Sequence, residues 1–272
     1  MKSSIYPLPL AALSLSLLLA SCEKEIDFTY HDIPQRQVIE GLLTQEGVSV
    51  RLTKTIPTDE PFTDATITDA TVSIKDLDTD MLHTLFPGED GSFTLDGLVG
   101  ETGHTYELTV TIGAESYRSA SRMLPPVEIM SAEFNWIKMP YDDVAVLKVT
   151  FTQDTDPQTQ YWLRVYRNGK PYQWQAIESR NAVDGLVTGM MMTSRKDVAQ
   201  EDDDEVLREG DIVEIEVLPV SRTMGDYLNS LNNGDYNGNL MFTGSYSLGY
   251  FLAAPLSANS LTFHPDQIPY AE

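Results

Sequence analysis

Aromatic and basic side chains on two neighbouring predicted strands are the clearest candidates for recognition chemistry. Residues 160–167 and 171–176 read as strands joined by Asn168-Gly169, the strongest short signal for a two-residue β-hairpin. Aromatic rings on paired strands can form a platform for a sugar or a peptide. The alternative is that they cover the sheet or contact the N-terminal part of the chain. The candidate ligand-binding residues are Trp162, Arg164 and Tyr166, which share one face of the first strand, and Tyr172 and Trp174, which share a face of the second.

Histidines and carboxylates are the residues that would bind a metal ion, and their spacing disfavours one. The histidines form no pair at three- or four-residue spacing, which argues against zinc. Asp76, Asp78 and Asp80 alternate as in a calcium loop, but Met81 stands where such a loop has glycine. The five acidic residues 201–205 are typical of a solvated loop. We expect no metal and no cofactor, with calcium at the two acidic segments as the alternative. The four histidines are His31, His83, His104 and His264.

A serine nucleophile or a catalytic carboxylate pair would indicate an enzyme. Gly244, Ser247 and Gly249 suggest an esterase elbow only faintly, because that motif needs glycine where Ser245 stands and a strand-to-helix turn. Carboxylate pairs arise by chance among 41 acidic residues, so they do not indicate a glycosidase. We expect the protein not to be an enzyme. A polar pocket with shifted carboxylates would favour the alternative, an enzyme acting on extracellular glycan or peptide.

The single cysteine of the chain, Cys22, ends the segment Leu19-Ala20-Ser21-Cys22. Before it lie Lys2 and an uncharged run from Leu8 to Ala20, the features of a signal peptide. That run of 13 residues is shorter than the roughly 20 residues that span a bilayer. A cysteine directly after Leu-Ala-Ser resembles the bacterial lipobox, in which the cysteine is acylated, for example with palmitate. The alternative is an ordinary secretory signal. We predict a signal peptide over residues 1–21 and a lipidated tether over residues 22–36.

The net charge of −23 excludes one class of partner. Cleavage after Ser21 would remove only Lys2 among the charged residues, so the mature chain would carry −24. Such a surface repels phosphate backbones and anionic membrane faces, which argues against nucleic-acid binding. The lipid would therefore supply the attachment to the membrane.

The remaining pattern predicts an all-β protein. Period-two alternation and frequent turns over residues 37–123 predict an N-terminal β-sandwich of immunoglobulin-like size, with six or seven strands. The prolines of Leu124-Pro125-Pro126-Val127 mark a boundary. Residues 127–272 predict a second, β-rich sandwich unit, with residues 248–253 closing its sheet. Tyr161, Leu163 and Val165 read as core, and residues 221–231 as its one short helix, capped by Ser221.

Several segments, taken in order, resemble a family of Bacteroidetes outer-membrane lipoproteins defined by domain of unknown function 4249. The resemblance covers nearly all of the mature chain and departs from the family pattern at residues 238–241, where an Asn-Pro pair is favoured. The resemblance implies a β protein of two parts, of a kind often encoded beside TonB-dependent receptors. No catalytic residues are established for the family, so the resemblance implies none in this chain. The segments are residues 38–44, 70–74, 105–110, 164–169, 210–213, 227–231 and 244–251.

These observations favour a lipid-anchored, non-enzymatic binding or accessory protein of the outer membrane. An acidic stretch behind the lipidated cysteine, Glu23-Lys24-Glu25-Ile26-Asp27, resembles a signal for export to the cell surface, so we expect the protein to face the cell exterior. The alternative reading is a solvated linker and a periplasmic position. The expected partners are the outer membrane, a TonB-dependent receptor and a glycan or peptide ligand. A surface adhesin or pilus-like structural subunit is the alternative function.

Overall fold

Strands make up most of the computed structural model, which describes residues 34–56, 65–88, 91–195, 206–235 and 240–271. The expectation of an all-β, sandwich-like fold with one short helix is confirmed. The predicted signal peptide and residues 22–33 of the tether lie outside the described residues. The strands are β1 Gln37–Leu43, β2 Val48–Lys54, β3 Thr71–Asp76, β4 Leu82–Pro87, β5 Ser92–Thr94, β6 Thr105–Ile112, β7 Glu115–Arg122, β8 Ile129–Ile137, β9 Val144–Thr152, β10 Gln160–Arg167, β11 Lys170–Glu178, β12 Leu186–Arg195, β13 Ile212–Val220, β14 Thr243–Gly244, β15 Ser247–Ala253 and β16 Ser257–Thr262.

Alternating burial along the strands explains why these segments form sheets. In β2, Val48, Val50 and Leu52 are buried while Ser49 and Arg51 are exposed. A strand places successive side chains on opposite faces, so this pattern buries one face and leaves the other in water. The same alternation in β6 buries Tyr106, Leu108 and Val110 and leaves the polar residues between them half-exposed.

The first sheet contains nine strands in the order β14-β7-β6-β3-β4-β5-β2-β1-β15. It curls so that strands near its two ends meet: β15 contacts β7, and the Ala253 amide donates to Ser121 Oγ at 2.9 Å. The curled sheet encloses the first apolar core. Phe93, Tyr117 and Phe251 are among the fully buried side chains of this core.

The prediction that residues 248–253 close the C-terminal sheet is wrong. These residues lie in β15, which pairs in parallel with β1 from Gln37–Ser247 to Leu43–Ala253. Two parallel strands far apart in the sequence are not joined by a tight turn, so no turn motif indicates that they pair. The first sheet is thus completed by a strand that follows most of the second half of the chain.

Two further sheets lie in the second half. A four-stranded sheet, β11-β10-β13-β16, packs against a three-stranded sheet, β12-β9-β8. The hairpin between β10 and β11 turns at Asn168-Gly169 with φ of +51° and +76°, as predicted for a tight turn of this composition. The core between these sheets includes Phe151, Tyr161, Leu163, Val165 and Phe263, so the core assignment of the β10 face is correct.

Helix α1, Arg222–Asn232, covers the junction between the sheets. Ser221 Oγ accepts a hydrogen bond from the Met224 amide at 3.3 Å, the predicted N-cap. Met224 and Leu228 bury into a third apolar cluster that also contains Trp162 of β10 and Leu252 of β15. No helix in the described part of the chain has the length and apolar character needed to cross a membrane.

The predicted boundary after Met123 falls between strands, because β7 ends at Arg122 and β8 begins at Ile129. Val127 already belongs to the core of the second half. The division into residues 37–123 and 127–272 stays a prediction. Two strands from the second range pair with strands of the first: β14 pairs with β7, and β15 pairs with β1.

Candidate functional site

Strand β10 positions the predicted recognition residues. Trp162, Arg164 and Tyr166 lie on the face opposite the core of the second half, and Arg164 lies directly across from Trp174 in β11. The Arg164 guanidinium carbon lies 4.9 Å from the Trp162 ring centroid and 5.8 Å from that of Tyr166. The structure therefore brings four of the five predicted residues together.

Tyr172 is the exception, and the prediction that it shares a face with Trp174 is wrong. A β-bulge interrupts the β10–β11 register between Val165 and Tyr166, and a bulge breaks the strict alternation of a strand. Tyr172 packs against the core of the second half, and its hydroxyl donates to the Thr193 carbonyl at 2.5 Å.

Trp162 is enclosed, so it offers no open ring for stacking. Its side chain is only 8% exposed. The edges and faces of its indole are met by Trp174, with centroids 6.4 Å apart at 87°, and by Tyr250, at 5.5 Å and 88°. Edge-to-face pairs of this kind stabilise a packed cluster. Within the described residues, its buried Nε1 has no hydrogen-bond acceptor.

Arg164 carries the charge at this site, and Glu216 of β13 neutralises it. One guanidinium nitrogen lies 2.5 Å from a Glu216 carboxylate oxygen, and both side chains are largely buried. The alternating pattern of β13 indicates that Glu216 lies on a polar face. It does not indicate that Glu216 pairs with Arg164, because that depends on the register between β13 and β10. The pKa of Tyr166 is raised, first by burial, although Arg164 opposes the rise.

Two tyrosines from other elements complete the cluster. Tyr250 of β15 lies against Tyr227 of α1, with ring centroids 6.1 Å apart. Burial raises the pKa of Tyr227 to about 12, with a further contribution from the Glu40 carboxylate. Burial and Glu40 also raise the pKa of Tyr250 well above its usual value. Both hydroxyls therefore stay protonated and neutral at physiological pH.

Trp174 is the exposed member of the cluster, with 39% of its surface accessible. It lies on the edge strand β11, directly across from Arg164 of β10, and its ring packs against that of Trp162. The arrangement is a small open surface above a closed aromatic layer. It can offer one aromatic ring and polar groups to a ligand, rather than the continuous platform expected from the sequence.

A separate cleft of about 310 Å³ opens between β7, the start of α1 and the segment before β14. Its apolar floor includes Met224, Met241 and Phe251, and its polar lining includes Ser119 and Arg118. The sequence did not predict this cleft, because its walls combine β6 and β7 with α1, β14 and β15, which follow much later in the chain.

The carboxylates of the first acidic segment are engaged separately. Asp76 accepts hydrogen bonds from the amides of Asp78 and Thr79 and contacts His104 Nδ1 at 2.9 Å. Asp78 accepts from the Thr105 amide, whereas Asp80 pairs with Lys75. The described residues contain no group of three or more potential ligands that could hold a metal ion. The acidic run 201–205 and His31 lie outside the described residues.

The other residues weighed for chemistry lie apart from one another. His83 lies on β4 and His264 contacts Glu209 at 2.6 Å. Gly244 ends β14, whereas Ser247 and Gly249 lie in β15, a strand followed by another strand rather than by a helix. The geometry of a nucleophile elbow is therefore not formed at these residues.

Comparison with known proteins leaves the family of the chain open. No protein-family model matches the sequence, and no curated protein matches it. Among solved structures, the chain is similar to "Cytokine receptor complex - Crystal form 1A", with 11% identity over 83% of this chain and 94% of that chain and a TM-score of 0.25. It is also similar to pullulanase complexed with maltotriose from Anoxybacillus sp. LM18-11, with 10% identity and a TM-score of 0.21, over 66% of this chain and 24% of that chain. Similarities this weak carry no conclusion about function.

Proposed function

We propose that this chain is a lipid-anchored, non-enzymatic binding or accessory protein of the outer membrane, facing the cell exterior beside a TonB-dependent transporter. The observation that carries the proposal is the position of Cys22, the sole cysteine, directly after the apolar run and Leu19-Ala20-Ser21. The ordered segments that resemble the Bacteroidetes lipoprotein family, domain of unknown function 4249, support the transporter partner.

The surface around Trp174 supports the binding role. An exposed indole directly across from Arg164, whose charge Glu216 neutralises, combines an apolar face with polar groups. Such a combination suits a sugar ring or an extended peptide, both of which present apolar edges and hydrogen-bonding groups. The ligand class we propose is therefore a glycan or a peptide.

Lipidation is tested by labelling cells with a palmitate analogue and separating membranes from soluble protein. We expect the wild-type chain to take up label and to sediment with membranes, and the Cys22→Ala variant to do neither. Ser21→Gly is the matched control, because it keeps a small residue at the cut. Equal labelling of wild type and Cys22→Ala would refute the lipoprotein proposal.

Ligand binding at the Trp174 surface is tested on glycan and peptide arrays with the purified full chain. Replacing Trp174 by alanine should weaken binding about tenfold, since a stacked aromatic contributes on the order of 1 kcal/mol or more. Tyr141→Ala is the control, because Tyr141 is a solitary aromatic side chain that is 98% exposed. If both variants bind as wild type does, the ligand does not use Trp174.

A further inference from the structure

Strand β10 presents a row of buried polar atoms to its junction with α1 and β15. Gln160, Trp162 and Arg164 are alternate residues of this strand, so their side chains share the face opposite the core of the second half. Each has one buried polar atom without a hydrogen-bond partner in the part of the chain that the structure describes: Oε1 of Gln160, Nε1 of Trp162 and Nε of Arg164. Buried polar groups are nearly always hydrogen-bonded, so this row indicates a place for atoms from outside the chain.

The two unpartnered N–H groups belong to neighbouring side chains. The Arg164 guanidinium carbon lies 4.9 Å from the centre of the Trp162 ring. The Trp162 residue is 8% exposed and the Arg164 side chain 14%, so bulk water does not satisfy either donor. An oxygen atom placed beside them would accept the hydrogen bonds that the chain itself leaves unmade.

The charges around the row favour a neutral oxygen over an anion. Glu216 already balances the Arg164 charge, with a carboxylate oxygen 2.5 Å from a guanidinium nitrogen. Tyr250, whose ring packs on that of Trp162, has a pKa raised first by burial and then by the Glu40 carboxylate. An added anion would meet a cation that is already paired and the repulsion of two carboxylates. A carbonyl oxygen avoids that repulsion.

Gln160 supplies an acceptor on the same face. Its side chain is buried, and a Cβ on Gly225 of α1 would lie 2.0 Å from its Oε1, so this oxygen lies directly against the helix. Alternate residues of a strand are about 7 Å apart. A secondary amide carries a carbonyl that accepts and an N–H that donates. One amide group therefore matches the unpartnered donors of Trp162 and Arg164 together with the unpartnered acceptor of Gln160.

Trp174 lies between this row and the solvent. Its ring packs edge to face on that of Trp162, with centroids 6.4 Å apart, and the residue is 39% exposed. A rotation about the side-chain torsions of Trp174 would uncover Trp162 while both strands stay in place. A single exposed indole suits one sugar ring, whereas an extended peptide would need a longer groove.

We propose that the Trp174 surface opens onto a binding site for the acetamido group of an N-acetylated sugar. The carbonyl of that group would accept hydrogen bonds from Trp162 Nε1 and Arg164 Nε, and its N–H would face Gln160 Oε1. The sugar ring would pack on Trp174. This inference rests on the proposed binding role and narrows its ligand class to sugars that carry an amide.

The indole N–H signals in the proton NMR spectrum of the purified full chain test the proposal. The three tryptophans give three such signals, which tryptophan-to-phenylalanine variants assign. Adding N-acetylglucosamine should move the Trp162 signal downfield, because its N–H gains an acceptor. The Trp136 signal should stay in place, because Trp136 Nε1 already donates to the Pro265 carbonyl at 3.1 Å. Glucose, which lacks the amide, is the matched probe and should leave the Trp162 signal unchanged.

A binding measurement on variants adds a second readout. Trp162→Phe keeps an aromatic ring but removes the N–H, so it should weaken N-acetylglucosamine binding about tenfold, the contribution of one hydrogen bond. Trp136→Phe is the control, because it makes the same substitution at another buried indole, 3% exposed, and should bind as wild type does. The spectrum of the wild-type chain decides the question even if Trp162→Phe does not fold.

Four results would each overturn the proposal. A Trp162 signal that no probe moves would show that internal water satisfies the row. Equal shifts with glucose and N-acetylglucosamine would show that the amide is not recognised. A shift with N-acetylglycine methylamide alone would assign the site to a peptide. Movement of the Trp174 signal without that of Trp162 would remove this inference and leave the proposed binding role at the surface intact.

Discussion

At the scale of single residues, Asp211 has the densest set of polar contacts near the Asn168-Gly169 hairpin. Its carboxylate accepts hydrogen bonds from Arg167 Nε, Asn168 Nδ2 and the Arg208 amide, each at 2.7 Å. Burial alone would raise the pKa of Asp211, but these bonds outweigh burial and lower it. The residue ties the start of β13 to the end of β10.

Replacing Asp211 by asparagine should lower the free energy of unfolding by about 3 kcal/mol, because it removes the carboxylate charge that pairs with the largely buried Arg167 guanidinium. Urea unfolding measures the difference. Arg180→Ala is the control: Arg180 pairs with Glu178 on the surface and is 78% exposed, so it should change stability by less than about 0.5 kcal/mol. Equal effects of the two variants would contradict the structural role of Asp211.

The pair formed by His104 and Asp76 should make stability depend on pH. The hydrogen bond to Asp76 raises the pKa of His104 above 6.5. Burial tends to raise the pKa of Asp76, but hydrogen bonds from His104 and from two amides bring it below 3.8. A raised histidine pKa stabilises the fold below 6.5, and this contribution is lost as the pH rises through the folded value. A lowered aspartate pKa stabilises the fold above 3.8, and this contribution is lost as the pH falls through the folded value.

The stability difference between wild type and His104→Gln should therefore be largest between about pH 4 and 6.5 and should shrink on either side. Chemical unfolding across the pH range measures it. His83→Gln serves as the control, because it removes an imidazole from a different strand, β4. A difference between wild type and His104→Gln that is largest above pH 8 would contradict the ion pair.

Sequence alone placed the candidate residues of β10 on one face of the strand but did not predict their surroundings. Alternation correctly separated Trp162, Arg164 and Tyr166 from the core face, because it depends only on local geometry. The enclosure of Trp162 depends on Tyr250 and on α1, which lie far away in the chain. A β-bulge places Tyr172 on the other face of β11, and no residue type in β11 predicts this bulge.

At the scale of elements, the parallel pairing of β15 with β1 determines the shape of the first sheet. Gly249 has a φ of +98°, and a side chain there would place Cβ 2.0 Å from the Ile39 carbonyl oxygen. Glycine is therefore required twice over, by backbone conformation and by the close approach of β1.

Gly249→Ala should lower the free energy of unfolding by about 3 kcal/mol or more, since it adds a backbone clash to the cost of a left-handed conformation. Gly210→Ala isolates the conformational cost, because Gly210 has a φ of +84° and open space around it. Thermal or urea unfolding of both variants measures the difference. Equal destabilisation would show that β15 is not held tightly against β1.

Most strands could be predicted from the sequence, and their bounds agree with the structure to within a few residues. The strand predicted over residues 160–167 has the bounds observed for β10. The helix also began where Ser221 predicted. The sheet to which a strand belongs was not predictable for β15, because long-range pairing is set by packing rather than by local pattern.

At the scale of the whole molecule, β15 and the cluster around Trp162 join the first sheet to the second half of the chain. Leu252 and Tyr250 of β15 pack with Leu218 of β13 and with Met224 and Leu228 of α1. Because the first sheet and the second half of the chain bury side chains in the same cluster, unfolding of one part should destabilise the other.

We therefore predict a single cooperative unfolding transition. The three tryptophans, Trp136, Trp162 and Trp174, all lie on strands of the second half, so their fluorescence reports that half and its junction with β15, whereas far-UV circular dichroism reports all strands. The two urea curves should coincide. Separate midpoints would show that the two halves unfold independently.

The position of the molecule in the cell is tested most directly by mild crosslinking and affinity capture from intact cells, with external protease added to a matched sample. We predict that a TonB-dependent receptor is recovered with the wild-type chain and that the protease removes the chain from the outside. A chain that is protected from protease and captured without a receptor would contradict both the surface position and the transporter partnership.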